Sequence, residues 1–112
     1  MANYQFITPT QLAQASVGTS YAVLYTTPTN TRTYVKGIDI CNTTSASIDV
    51  YVSIVPSGGT AGASNAIFFA AALPAYTTLQ WSSTQIMSVG GTLQSKASAI
   101  GTTITASGGE AV

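Results

Sequence analysis

Residues 32–55 read RTYVKGIDICNTTSASIDVYVSIV, and this stretch decides the fold class. In its second half Ile48, Val50, Val52 and Ile54 alternate with Asp49, Tyr51 and Ser53. A two-residue period makes one side of an extended chain apolar and the other polar, as a half-buried β-strand requires. In the first half Ile38 and Ile40 stand against Asp39 and Cys41 in the same way. The two halves are therefore expected as a hairpin, one strand from about Arg32 to Cys41 and the other from about Ser47 to Val55. A register pairing Ile40 with Ile48 and Ile38 with Val50 puts all four on one face. Lys36 falls on that apolar face by parity. Either Gly37 marks a bulge that re-aims it, or its stem lies along the core and its amine snorkels out.

Outward from this segment the chain stays rich in β-branched and aromatic residues, punctuated by Gly, Pro and Asn, with no helical period. Further strands are expected near 11–15, 21–26, 76–82, 86–89, 93–99 and 102–106. The apolar run Ala66–Leu73 is ambiguous by period, but its shortness, the Phe68-Phe69 pair and the closing Pro74 favour strand. About eight short strands at this spacing are the mark of an antiparallel sandwich or barrel, all β, in one domain covering residues 1–112. Residues 1–10 read as an extended arm interrupted by Pro9, and residues 107–112 as a loose tail.

The chain of 112 residues has an ordinary apolar share of 46% but only 5% charged residues, against about 25% in a typical soluble domain. Three basic residues (Arg32, Lys36, Lys96) balance three acidic ones (Asp39, Asp49, Glu110). Three scattered cations cannot neutralise a run of phosphates or dock an anionic bilayer, so neither nucleic acid nor membrane is an expected partner. No apolar run approaches the ~20 residues that span a bilayer. The first residues lack the cationic start and apolar core of a signal peptide, so synthesis in a cytoplasm is expected. Eighteen Thr and thirteen Ser supply most of the polarity. With no net charge to keep copies apart, a surface largely covered by protein partners is expected.

Chemistry is hard to assemble from these residues. The chain has no histidine and one cysteine, Cys41, which removes Ser–His and Cys–His nucleophiles, histidine metal sites and any internal disulfide. The pairs Gly58-Gly59 and Gly90-Gly91 open no helix and make no phosphate cradle. No catalytic residue and no cofactor is expected. In the hairpin register Asp39 and Asp49 sit opposite each other, which would be destabilising unless something cationic joins them. They are a weak candidate for a Ca²⁺ site, or for an ionic contact with Arg32 of a neighbouring subunit; the plain alternative is two solvated carboxylates. Trp81 and Phe68-Phe69 suit a core, with an interface anchor as the alternative. Tyr4, Phe6 and Ile7, ahead of the first strand, suit docking on a neighbour.

The stretch from Gln11 to Glu110 resembles a family of small structural proteins of tailed bacteriophages. The residues that carry the resemblance are Leu24-Tyr25-Thr26-Thr27-Pro28, Tyr34 to Thr43, Val55-Pro56-Ser57-Gly58-Gly59, Thr78-Leu79-Gln80-Trp81, Val89-Gly90-Gly91 and Ser95-Lys96-Ala97-Ser98. These are strand and turn motifs, and no functional residue transfers from them. The resemblance implies a β-sandwich or jelly-roll-like virion component, usually multimeric. The expected function is non-enzymatic: a head decoration or cement protein, a homotrimer clamped on the major capsid protein or another virion protein. A tail, neck or fibre-associated protein is the first alternative. A carbohydrate-binding sandwich, with Trp81 near the loop at 56–65, is the second.

Overall fold

The computed structural model describes residues 7–111. Eight strands follow one another: β1 (Ile7–Val17), β2 (Ala22–Thr26), β3 (Arg32–Asn42), β4 (Ile48–Val55), β5 (Ala66–Leu73), β6 (Thr78–Met87), β7 (Thr92–Ala97) and β8 (Thr102–Ala111). They form two antiparallel four-stranded sheets, ordered β1-β8-β3-β6 and β2-β7-β4-β5. First strand pairs with last, second with seventh, third with sixth and fourth with fifth. This is a long ribbon folded at the β4–β5 loop and rolled up, which is the jelly-roll arrangement. The all-β sandwich expected from the alternation is the observed fold.

The central hairpin is not. β3 bonds to β6 and β8, while β4 bonds to β5 and β7, so the two strands lie in opposite sheets. Residues 43–47 are a corner crossing from one sheet to the other. Ile38 and Ile40 face Ile48 and Val50 across the core instead of lying beside them, and all four are buried. The hydrogen-bonded hairpin made of neighbouring strands is β4–β5, across the loop at 56–65.

Asn42 explains why the chain crosses here. Its side chain is fully buried, and its Nδ2 donates to the carbonyls of Ala46 (2.7 Å), Leu73 (3.0 Å) and Pro74 (3.2 Å). Its Oδ1 accepts from the backbone N–H (2.9 Å) and the hydroxyl (2.7 Å) of Thr44. The amide thus fixes the β3–β4 corner and fastens it to the β5–β6 corner beside it. Thr43 N donates to the Gly101 carbonyl at 3.0 Å, which brings the β7–β8 corner to the same end.

The β3 bulge does occur. The register shifts between Val35 and Gly37, leaving Val35 and Ile38 buried and turning Lys36 outward, where its Nζ donates to Thr84 Oγ1 at 2.9 Å. The expected strands at 76–82 and 86–89 are one bulged strand, β6. Two further expectations are corrected. Residues 7–10 are not an arm: they belong to β1 and pair with Gly108 to Ala111. Pro9 is tolerated because β1 is an edge strand, where one missing N–H breaks no ladder. Residues 107–111 are not a loose tail: they continue β8 between β1 and β3. Ser, Gly and Ala there resemble tail composition, yet their small size lets two neighbouring strands close in on both sides.

Candidate functional site

The aspartate pair does not exist. Asp39 lies on the outer face of its sheet between Thr105 of β8 and Gln80 of β6, and Asp49 lies on the outer face of the other sheet beside Ala72 of β5. The pairing followed from the hairpin register and fails with it. Among the described residues no group of three or more His, Cys, Asp or Glu could hold a metal ion. Arg32 opens β3 opposite Ala111. Cys41 is half-buried between Thr103 and Thr78. Trp81 and Phe68 pack partly buried against the core. Ile7 starts β1 with 62% of its surface exposed. Tyr4 and Phe6 lie outside the described residues.

Two clusters were not foreseen. The first crosses the sandwich interior at one end. Glu110 sits opposite Thr33 in the β8–β3 register and accepts a hydrogen bond from the Tyr25 hydroxyl of the opposing sheet. Tyr25 has one proton to give, so the Thr33 hydroxyl (3.0 Å away) donates to it, and Thr33 accepts in turn from Thr27 at 3.1 Å. Burial raises the Tyr25 phenol, and the bond to the Glu110 carboxylate raises it further, to about 12 from 10.0. A raised pKa means that the folded state holds the proton more tightly than the unfolded chain. The resulting stability is full below pH 10 and is lost as the pH rises through about 12. An ultraviolet titration should therefore show a phenol with a midpoint near 12 that disappears in Tyr25→Phe. Denaturant stability of the parent should fall between pH 10 and 12 more steeply than that of the variant.

The second cluster lies on the outer face of the β2-β7-β4-β5 sheet. Lys96 of β7 is the register partner of Tyr51 of β4, and its Nζ stands 4.7 Å from the Tyr51 ring centroid and 4.9 Å from that of Tyr21. Tyr51 meets Tyr21 edge-on at 6.5 Å and Phe69 at 5.2 Å. Phe69 reaches this face through a bulge: two residues, Phe69 and Ala70, oppose Tyr51 alone, and Ala70 takes a φ of 52°. The bulge leaves Phe68 inward and Phe69 56% exposed, as is Val23 on the opposite edge strand, β2. The result is a row, Tyr21–Lys96–Tyr51–Phe69, running across the sheet. A cation between two rings gains about 0.5–2 kcal/mol from their quadrupoles, depending on its desolvation. Among the described residues the buried Tyr21 hydroxyl has no hydrogen-bond partner. Parity marks Tyr51 and Lys96 as outward in the sequence. Their adjacency needed the sheet order, which parity does not contain.

All six charged residues lie on the four inner strands: Arg32, Lys36 and Asp39 on β3, Asp49 on β4, Lys96 on β7 and Glu110 on β8. The four edge strands, β1, β6, β2 and β5, carry no charge at all. Bulges interrupt each of them, but no Lys or Glu guards them. No protein-family model, curated protein or solved structure matches the chain.

Proposed function

We propose that this chain is a non-enzymatic structural protein of a virion, a decoration or cement protein on the head of a tailed bacteriophage, acting as a homo-oligomer against the major capsid protein. The observation that carries the reading is the uncharged rim. Free-standing β-proteins blunt their sheet edges with charged side chains, prolines or bulges because an open edge recruits other strands, and here the charges are missing. A chain whose four edge strands carry bulges and one proline but no charge suits a place among fixed protein neighbours. The jelly roll is a frequent architecture of capsid proteins and also of lectins, so the fold alone leaves the function open. On a particle with many copies a weak contact per copy suffices.

The outward-facing aromatic row, half-buried at Tyr21 and Tyr51 and exposed at Phe69, supports the carbohydrate-binding reading better than Trp81 does. Its rings meet at 75° and 89°, however, and edge-to-face rings offer no flat platform for a sugar face. The test is antibody labelling of particles of a phage whose genome encodes the chain, imaged by electron microscopy, with a glycan array run beside it. Label distributed over the head is the expected result. Label confined to tail or neck moves the protein there, and unlabelled particles overturn the virion reading.

A further inference from the structure

We propose that the outer face of the β2-β7-β4-β5 sheet is a self-complementary contact between two copies of this chain, in which Lys96 of each copy pairs with Asp49 of the other. The inference rests on the reading that copies associate, and it names the surface and the pairing.

Lys96 and Asp49 are the only charged residues on the four strands of this sheet. Both alternate with buried residues, Lys96 between Ser95 and Ala97 and Asp49 between Ile48 and Val50, so both side chains face outward. They are neighbours on the diagonal: Tyr51 is opposite Lys96, and Asp49 lies two residues along β4. Diagonal positions are ~7–8 Å apart, within reach of a lysine. Yet among the described residues neither side chain has an ion-pair partner. The Lys96 ammonium is held over the two tyrosine rings instead. Rings accept no hydrogen bond as strong as a carboxylate does, so the ammonium keeps donor capacity facing away from the sheet.

A cation and an anion set side by side on one face are the pattern that a two-fold axis matches to itself. With the axis in the plane of contact, midway between the two and perpendicular to the line joining them, the lysine of one copy lies over the aspartate of the next, twice. Such an isologous contact needs a patch that complements itself, and one charge of each sign supplies it. Val23, Tyr51 and Phe69 provide apolar cover around the ion pairs, and excluding water there strengthens each pair. With 5, 6, 8 and 8 residues in β2, β7, β4 and β5, at ~3.3 Å along and ~4.8 Å across the strands, the face offers roughly 430 Å² per copy. The two copies together bury about 860 Å², under the ~1,000 Å² of a stable specific interface, so the contact belongs to the weak class.

The test is the mass of the full chain by sedimentation velocity over a hundredfold range of concentration, for the parent, Lys96→Asp, Asp49→Lys and the double variant. Circular dichroism checks that each is folded, and Phe69→Ser serves as a second probe that leaves both charges in place. The parent should dimerise, or form even multiples of a larger ring. Each single charge reversal and Phe69→Ser should weaken association at least tenfold, and the double variant should recover to within about threefold of the parent. Association indifferent to the charges, or a double variant that stays apart, overturns this contact while leaving self-association standing. A parent that is monomeric throughout overturns the contact and the homo-oligomer together, and leaves the virion reading to the particle labelling.

Discussion

Replacing Asn42 with aspartate should cost the chain about 4 kcal/mol, which would leave most of it unfolded at neutral pH if it has the stability usual for its size. The amide nitrogen is surrounded by the carbonyl oxygens of Ala46, Leu73 and Pro74, all of which need a proton donor. Aspartate has the same shape but, when ionised, no proton to give. An anion would then be buried against three carbonyls with no water to solvate it. The opposite oxygen could still accept from Thr44, so the loss falls on one end of the side chain. This makes the effect dependent on pH. Protonating the introduced carboxyl restores one donor, so the gap between parent and variant should narrow on going from pH 7 to pH 4. Asn42→Leu should be destabilised as well, but with a gap indifferent to pH. Urea unfolding followed by circular dichroism at the two pH values measures both. A loss below about 1 kcal/mol for Asn42→Asp would mean that the corners hold without the amide.

Gly108→Ala should be the most damaging small change in the β1-β8-β3-β6 sheet, with a loss of about 3 kcal/mol or outright failure to fold. A Cβ at this position would sit 1.8 Å from the carbonyl oxygen of Tyr34 and 3.2 Å from the Lys36 nitrogen. The obstacle is backbone, which cannot rotate away as a side chain can. β8 lies between β1 and β3, so easing it from β3 disturbs both ladders. The contact arises where β3 bulges at Lys36 and its backbone leans toward β8. Two controls separate this from a general effect of losing glycine. At Gly109 the nearest atom to an added Cβ is the Ile7 Cγ2 at 3.0 Å, the end of an exposed side chain, and the cost should be about 1 kcal/mol. At Gly62 nothing lies within 4 Å, and alanine should be neutral within about 0.5 kcal/mol. Thermal melts of the three variants give the ranking directly. A Gly108→Ala protein as stable as Gly62→Ala would show that the two strands have room to part.

These positions differ in how far the sequence betrays them. The Asn42-Thr43 turn stands out among strand residues, but nothing in the chain says that its carbonyl partners come from residues 73 and 74. Gly108 reads as tail, because a run of Ser, Gly, Gly and Ala is what an unstructured end also contains. The Lys36-Gly37 irregularity was legible: a charged residue at an apolar parity position demands either a bulge or a snorkelling stem, and the bulge is what forms. The edge character of β1 was legible only in part. In the sequence Pro9 reads as an interruption of an arm, whereas in the structure it sits within edge strand β1. Alternation places Asp39 and Asp49 each on an outer face, as observed, but their pairing depends on which strands are neighbours, and β3 and β4 lie in different sheets.

What the sequence determined by itself is the class of the fold and the inward side of its central strands. Ile38, Ile40, Ile48 and Val50 are buried, as the alternation requires, and the scarcity of charge is a property of the chain before it folds. What the tertiary structure decided is which strand lies beside which. A hairpin and a crossing corner place the same residues in the same core, one pair side by side in a sheet and the other face to face across the sandwich. Both satisfy the two-residue period equally, because alternation is a property of one strand and pairing is a property of two. The choice is made by contacts distant in sequence: the Asn42 amide reaching Leu73 and Pro74, and β8 inserting between β1 and β3.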